Sequence, residues 1–231
     1  MVKDNLFVFN GVASSDFGLI VSGYGTYAEP ARDVTMLSVA GHDGDLTLDN
    51  GRFTNVDITY KALIYKDFDE NFKNFTSFMY NQKGYKRLED NLHPNEYRLG
   101  VFKSAIKPNI KGDYVAGSFE VTFNCKPQRF LKSGEEIIDL TDGGGLYNET
   151  QFAAKPLIRA YAAGNLTVNG KTLTISAVDG YIDLDCEMLN AYKGTTNLNA
   201  NVSGEFPTLV AGNNTIVYTG KLEIKPRWFI V

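Results

Sequence analysis

A chain of 231 residues, 43% hydrophobic and 22% charged, has the make-up of a soluble globular protein with room for one large domain or two ordinary ones. The net charge of −4 is mild, and residues 1–133 hold 16 basic and 16 acidic side chains, so the whole excess lies in the C-terminal part. Neither half has the basic footprint of a direct nucleic-acid binder. No run approaches the roughly 20 apolar residues of a membrane span, and the start MVKDNLFVFNG shows no secretory signal.

In chain order, two short β-rich pieces, Leu6–Phe9 and Leu19–Val21, are punctuated by Asn10-Gly11 and by Asp16-Phe17-Gly18. Val34, Met36 and Val39 continue the strand pattern up to the loop GHDGD at 41–45. Beyond it, Val56, Ile58 and Tyr60 alternate with Asp57, Thr59 and Lys61, as in a half-buried strand. One segment departs from the period of two. Phe68, Phe72, Phe75 and Met79 recur at spacings of four, three and four, which predicts a helix over about 67–82. Asp67 is the expected N-cap with Glu70 at capping-box spacing, and Gly84 suits the position just past the end.

Strands then resume. Phe119, Val121, Phe123 and Cys125 form a dry series against Glu120, Thr122 and Asn124. Ser-Gly-Glu-Glu at 133–136 and Thr-Asp-Gly-Gly-Gly at 141–145 mark a composition shift, so the domains are expected at 1–133 and 134–231. After 156 the chain reads as a meander of short strands. Asn169-Gly170, Asp179-Gly180 and Thr219-Gly220 are its expected tight turns, and a β-sandwich follows from that spacing.

The chemistry-bearing residues are few. His42 beside Asp43 and Asp45 offers a metal site or general base in principle, but no second His or Cys lies at zinc spacing. A calcium loop counted from Asp43 reaches Thr54 where a Glu is needed. A polar turn between strands is the reading taken, and His93 reads as a turn residue ahead of Pro94. Gly143-Gly144-Gly145 lacks the Lys-Ser/Thr of a phosphate cradle, and no G-x-S-x-G elbow occurs. Asp183 and Asp185 fall on the wet parity of a strand and read as solvated. Cys125 and Cys186 fall on the dry parity and read as small buried hydrophobes. The sequons at Asn148 and Asn165 carry no meaning without secretion. No catalytic, cofactor-binding or metal residue is assigned, and the chain is read as a non-enzyme.

Five segments carry a family resemblance. LFVFNGVASSDFGLIVSG at 6–23, GHDGDL at 41–46, FNCKPQRFL at 123–131, GEFPTLVAGNNTI at 204–216 and IKPRWFIV at 224–231 resemble, in order, stretches of the distal tail proteins of long-tailed siphophages. His42 stands where that family more commonly has Arg. The resemblance implies an N-terminal β-sandwich with one helix and a C-terminal galectin-like β-sandwich, without inserted carbohydrate-binding modules. The last strand either closes that second sandwich or packs back on the N-terminal domain. It further implies a hexameric ring, single or two stacked, at the far end of a phage tail. The implied partners are the tail tube protein and a tail-associated, fibre or receptor-binding protein. Such a chain is made in the host bacterial cytoplasm, from a phage or prophage, and ends in the virion.

Tyr24, Tyr27, Tyr114 and Tyr147 lie in polar loops and are equally readable as ring-interface residues or as scattered surface tyrosines. The alternative function is glycan binding by the C-terminal domain. It requires one of Tyr147, Tyr161, Tyr181, Tyr192 or Tyr218 to lie exposed in a groove beside Asn, Asp or Arg. Trp228, the only tryptophan, is expected to anchor a core rather than a sugar.

Overall fold

The structure is a computed structural model that describes residues 5–23, 25–26, 28–112 and 115–231. Twenty-two strands, one α-helix and three short 3₁₀ turns make up the described part, so the fold is mainly β as expected. Its packing divides into two units, residues 1–129 with Val231 and residues 130–230.

The N-terminal unit is built on one antiparallel sheet. Its strands run Val12–Ala13, Phe7–Phe9, Lys86–Asp90, Glu96–Phe102, Ala116–Leu131, Val56–Ile64 and Leu19–Ser22, with Asn109–Lys111 beside the start of the long strand. The two ends of this order approach each other. Asn5 bridges to Val21, whose N–H donates to the Asn5 carbonyl at 3.0 Å, so the sheet wraps almost closed. Strict alternation along Val56–Ile64 sends Val56, Ile58, Tyr60, Ala62 and Ile64 inward. Register with the long strand sets them beside Phe119, Val121, Phe123 and Cys125.

The helix Phe68–Tyr80 docks its aromatic face on this core. Phe68, Phe75 and Met79 are buried and Phe72 is packed beside them. Rings interlock throughout: Phe7 stacks on Tyr60 at 5.0 Å, and Phe72 meets Phe119 edge-on at 5.1 Å. Gly117 is required by this docking, because a Cβ there would lie 2.4 Å from the Phe68 ring. The helix ends differ from expectation. Asp67 occupies the N-cap position in a left-handed conformation (φ 50°) and makes no side-chain cap, while Asn71 reaches back to the Lys66 carbonyl at 3.0 Å. The helix stops at a right-handed Asn81, with the left-handed Gly84 lying beyond it.

The C-terminal unit is a two-sheet sandwich. One sheet orders Ile138–Thr141, Lys221–Lys225, Leu157–Ala160, Ile182–Asp185, Asn190–Lys193 and Thr196–Asn197. The other orders Gly144–Asn148, Gly212–Val217, Gly164–Val168, Lys171–Ile175 and Val202–Gly204. Between them lie Ile158, Ile182, Leu184, Leu222 and Ile224 from the first sheet, and Leu166, Val168, Leu173, Ile175 and Ile216 from the second. Each such side chain contributes about 2 kcal/mol on burial.

Of the three expected tight turns, only Asn169-Gly170 joins paired neighbours. Both residues sit at positive φ (51° and 83°), as a type I′ hairpin requires. Asp179-Gly180 and Thr219-Gly220 each carry the chain from the five-stranded sheet to the six-stranded one, so they are crossings and not hairpins. The strand Ile182–Asp185 ends before Met188, which is exposed. Trp228 is buried in this core, and its carbonyl accepts the Leu131 N–H at 2.9 Å.

Candidate functional site

The residues first singled out for chemistry scatter. His42 sits at the exposed tip of a hairpin, in the polar turn GHDGD between Arg32–Ser38 and Asp45–Phe53. His93 lies in the turn after Lys86–Asp90, where Asp90 Oδ1 accepts the His93 backbone N–H at 2.9 Å and faces His93 Nδ1 at 3.0 Å. Burial, opposed by Glu96, holds the His93 imidazole below its ordinary value. Gly144 and Gly145 belong to a strand paired with Gly212–Val217. Cys125 and Cys186 are buried free thiols, one in each core, and burial pushes both up to about 12. No group of three or more His, Cys, Asp or Glu placed to hold a metal occurs among the described residues. None of their helices is long and apolar enough to cross a membrane.

Asp183 and Asp185 correct the expectation of solvated carboxylates, because both are buried. Asp183 receives a two-pronged bond from Arg159 at 2.7 and 3.0 Å, and Asp185 receives one from Arg227 at 2.8 and 2.9 Å. The arginines cover the outer face of the strand that parity alone makes wet. These are structural ion pairs.

Of the five C-terminal tyrosines, Tyr218 is buried and Tyr161, Tyr181 and Tyr192 are half-buried, while Tyr147 is 60% exposed. Cations already stand over two of these rings. Arg159 lies 4.2 Å from the centre of Tyr181, and Lys221 lies 5.2 Å from that of Tyr161. Tyr24, Tyr27 and Tyr114 lie outside the described residues.

The surface that most needs a partner is the hairpin itself. Pairing sets Leu37 opposite Leu46 and Thr35 opposite Leu48, so one face is apolar. Val34 and Met36, opposite Asp49 and Thr47, give the other face two more apolar side chains. Leu37, Leu46, Leu48 and Met36 are each at least half exposed, so neither face is covered by the hairpin's own domain. The base is pinned by polar contacts instead. Arg52 pairs with Asp33 at 2.6 Å, Asn50 donates to Asp33 at 3.0 Å, and Arg32 pairs with Asp49 while lying over the Phe53 ring. Hydrogen bonds from Asn50 and Arg52 hold the Asp33 carboxyl below its usual range. A strand pair held at its root with bare leucines along its length leaves both faces open to another surface.

No family model and no curated protein matches the chain at significant similarity. Solved structures do match. The Dit protein of phage SPP1, a paradigm of the hub adsorption apparatus of phages that infect Gram-positive bacteria, superposes with a TM-score of 0.76. That match has 13% identity and covers 96% of this chain and 98% of the other. A chain of the phage p2 baseplate in its activated conformation matches with a TM-score of 0.55 at 11% identity, covering 97% and 98%. At these identities the likeness is one of fold, and from end to end the chain has the fold of phage hub and baseplate proteins.

Proposed function

We propose that the chain is a non-catalytic structural subunit of a phage tail, a distal tail protein that closes into a hexameric ring at the tail tip. The observation that carries this reading is the fold match over nearly the full length of both chains, down to the absence of any large insertion. The N-terminal unit forms the ring, and the C-terminal sandwich, galectin-like in that family, faces outward. The ring joins the tail tube to the host-facing tail-associated or receptor-binding proteins, and the finished protein resides in the virion.

The Arg32–Phe53 hairpin supports the ring. Covering its six exposed apolar side chains on a neighbouring subunit contributes on the order of 7 kcal/mol. Association costs about 4–15 kcal/mol, so a single such contact is marginal. Head-to-tail closure gives every subunit two contacts and favours the closed ring over a dimer.

Light scattering with electron microscopy of the purified chain tests this. Six copies of a 25.6 kDa chain give rings near about 150 kDa. The double substitution Leu46→Asp with Leu48→Asp returns the protein to folded monomer. Rings that persist with that substitution remove the hairpin from the interface, and a wild type that stays monomeric at every concentration and with its tail partners present removes the ring.

A further inference from the structure

A second cleft lies within the N-terminal unit. Adjacent strands Glu96–Phe102 and Ala116–Leu131 contribute Arg98 and Arg129 to a cleft of about 40 Å³. Arg98 Nη1 and Arg129 Nε are both buried, and neither has a hydrogen-bond partner among the described residues. Buried donors are nearly always paired, and charged ones most of all.

The acids around the cleft do not meet this need. Asp90 is saturated by the Tyr60 hydroxyl at 2.8 Å and by the turn at Leu92 and His93. Glu89 is engaged by Arg87 at 2.5 Å. Glu96 and Glu29 come only to 3.7 and 3.9 Å of Arg129, too far for hydrogen bonds. Arg98 has no carboxylate within ion-pair reach among the described residues. Burial, together with the like charge of Arg129, holds its guanidinium below the usual range.

We propose that Arg98 and Arg129 form a receiving site for a single carboxylate. The planar fork of a guanidinium matches a carboxylate's two oxygens, and one negative charge between the two arginines removes both the orphaned donors and their mutual repulsion. The volume admits a group the size of acetate or the end of an Asp or Glu side chain, and excludes a sugar or a nucleotide.

Sodium acetate and sodium chloride at equal ionic strength are the probes, titrated into the full-length protein while thermal unfolding and heats of binding are followed. Acetate raises Tm saturably by roughly 3 °C beyond chloride, and Arg98→Met weakens acetate binding at least tenfold. Acetate bound by monomers but excluded from rings assigns the site to an acidic side chain of a neighbouring copy, whereas acetate bound by both assigns it to a free anion. Acetate and chloride acting alike on the wild type in both states, with Arg98→Met monomers and rings as stable as wild type, overturns the site. If Arg98→Met does not fold, the wild-type titration together with Arg129→Lys, which keeps charge but loses the fork, decides.

Discussion

The two units solve the same problem with different materials. The N-terminal core is aromatic, with Phe7, Phe9, Phe68, Phe75, Phe123 and Tyr60 interlocked under a helix, and Ser14 is its one buried polar side chain among the described residues. The C-terminal core is aliphatic, and its unit also buries Asn148, Thr150 and Asn214, as well as Asp183 and Asp185 beneath their arginines on the outer face of one sheet. Large rings fill the space between a curved sheet and a helix, so shape alone fixes that packing. The two facing sheets of Ile, Leu and Val leave room for buried amides at their margin, each with a definite backbone partner: Asn148 donates to the Leu209 carbonyl at 3.2 Å, and Asn214 accepts from the Val210 N–H at 2.8 Å.

The largest break in this comparison is expected from Phe75→Ala, which empties the centre of the aromatic core and costs the N-terminal unit about 4 kcal/mol in denaturant unfolding. The C-terminal transition stays in place, provided the units unfold separately. Arg227→Met does the converse. It leaves Asp185 buried without its partner and costs the C-terminal unit about 3 kcal/mol.

That pair also predicts a pH dependence. Burial pushes the Asp185 carboxyl up, but Arg227 and the N–H groups of Met188 and Glu187 outweigh it and hold the folded value below the ordinary one. The stabilisation is therefore complete above the unfolded value of about 3.9 and is lost as pH falls through the folded value. Acid titration of the wild type should show this loss, and Arg227→Met should flatten it.

Next in size, Gly117→Val drives a methyl into the Phe68 ring and costs about 2 kcal/mol, confined to the N-terminal unit. The two thiols report which unit opens. In single-cysteine variants Cys125 labels with N-terminal unfolding and Cys186 with C-terminal unfolding, and neither labels in the native state at pH 8. The smallest effect on stability belongs to Leu46→Asp with Leu48→Asp, within about 0.5 kcal/mol per site in the monomer because both side chains are already in water.

The sequence shows the fold wherever a single face decides. Phe68, Phe72, Phe75 and Met79 announce a helix, and Val56, Ile58 and Tyr60 announce a strand, because each period is local. Caps were less legible, since Asp67 takes a left-handed conformation that points its side chain away from the capping role. Turn chemistry identifies where the chain bends but not which strand it then joins, so Asn169-Gly170 makes a hairpin while Asp179-Gly180 crosses between sheets. The buried state of Asp183 and Asp185 depends on Arg159 and Arg227, 24 and 42 residues away, and no local pattern carries that. The candidate site was hidden for a related reason. Val34, Met36, Leu46 and Leu48 look like core residues in any window, and only the surrounding fold shows that nothing covers them.

The strand order of the C-terminal unit has a consequence for synthesis on the ribosome. Ile138–Thr141 pairs with Lys221–Lys225, Gly144–Asn148 with Gly212–Val217, and Leu131 bonds to Trp228. Its earliest strands therefore wait for its latest ones to leave the exit tunnel, several seconds at about 5–20 residues per second. The aromatic core needs nothing beyond Cys125 and can be complete while that wait goes on. The nascent chain thus holds a packed aromatic core together with a second unit whose sheet edges stay open until Gly212–Val217 and Lys221–Lys225 have emerged, which makes those seconds the period of greatest demand on chaperones.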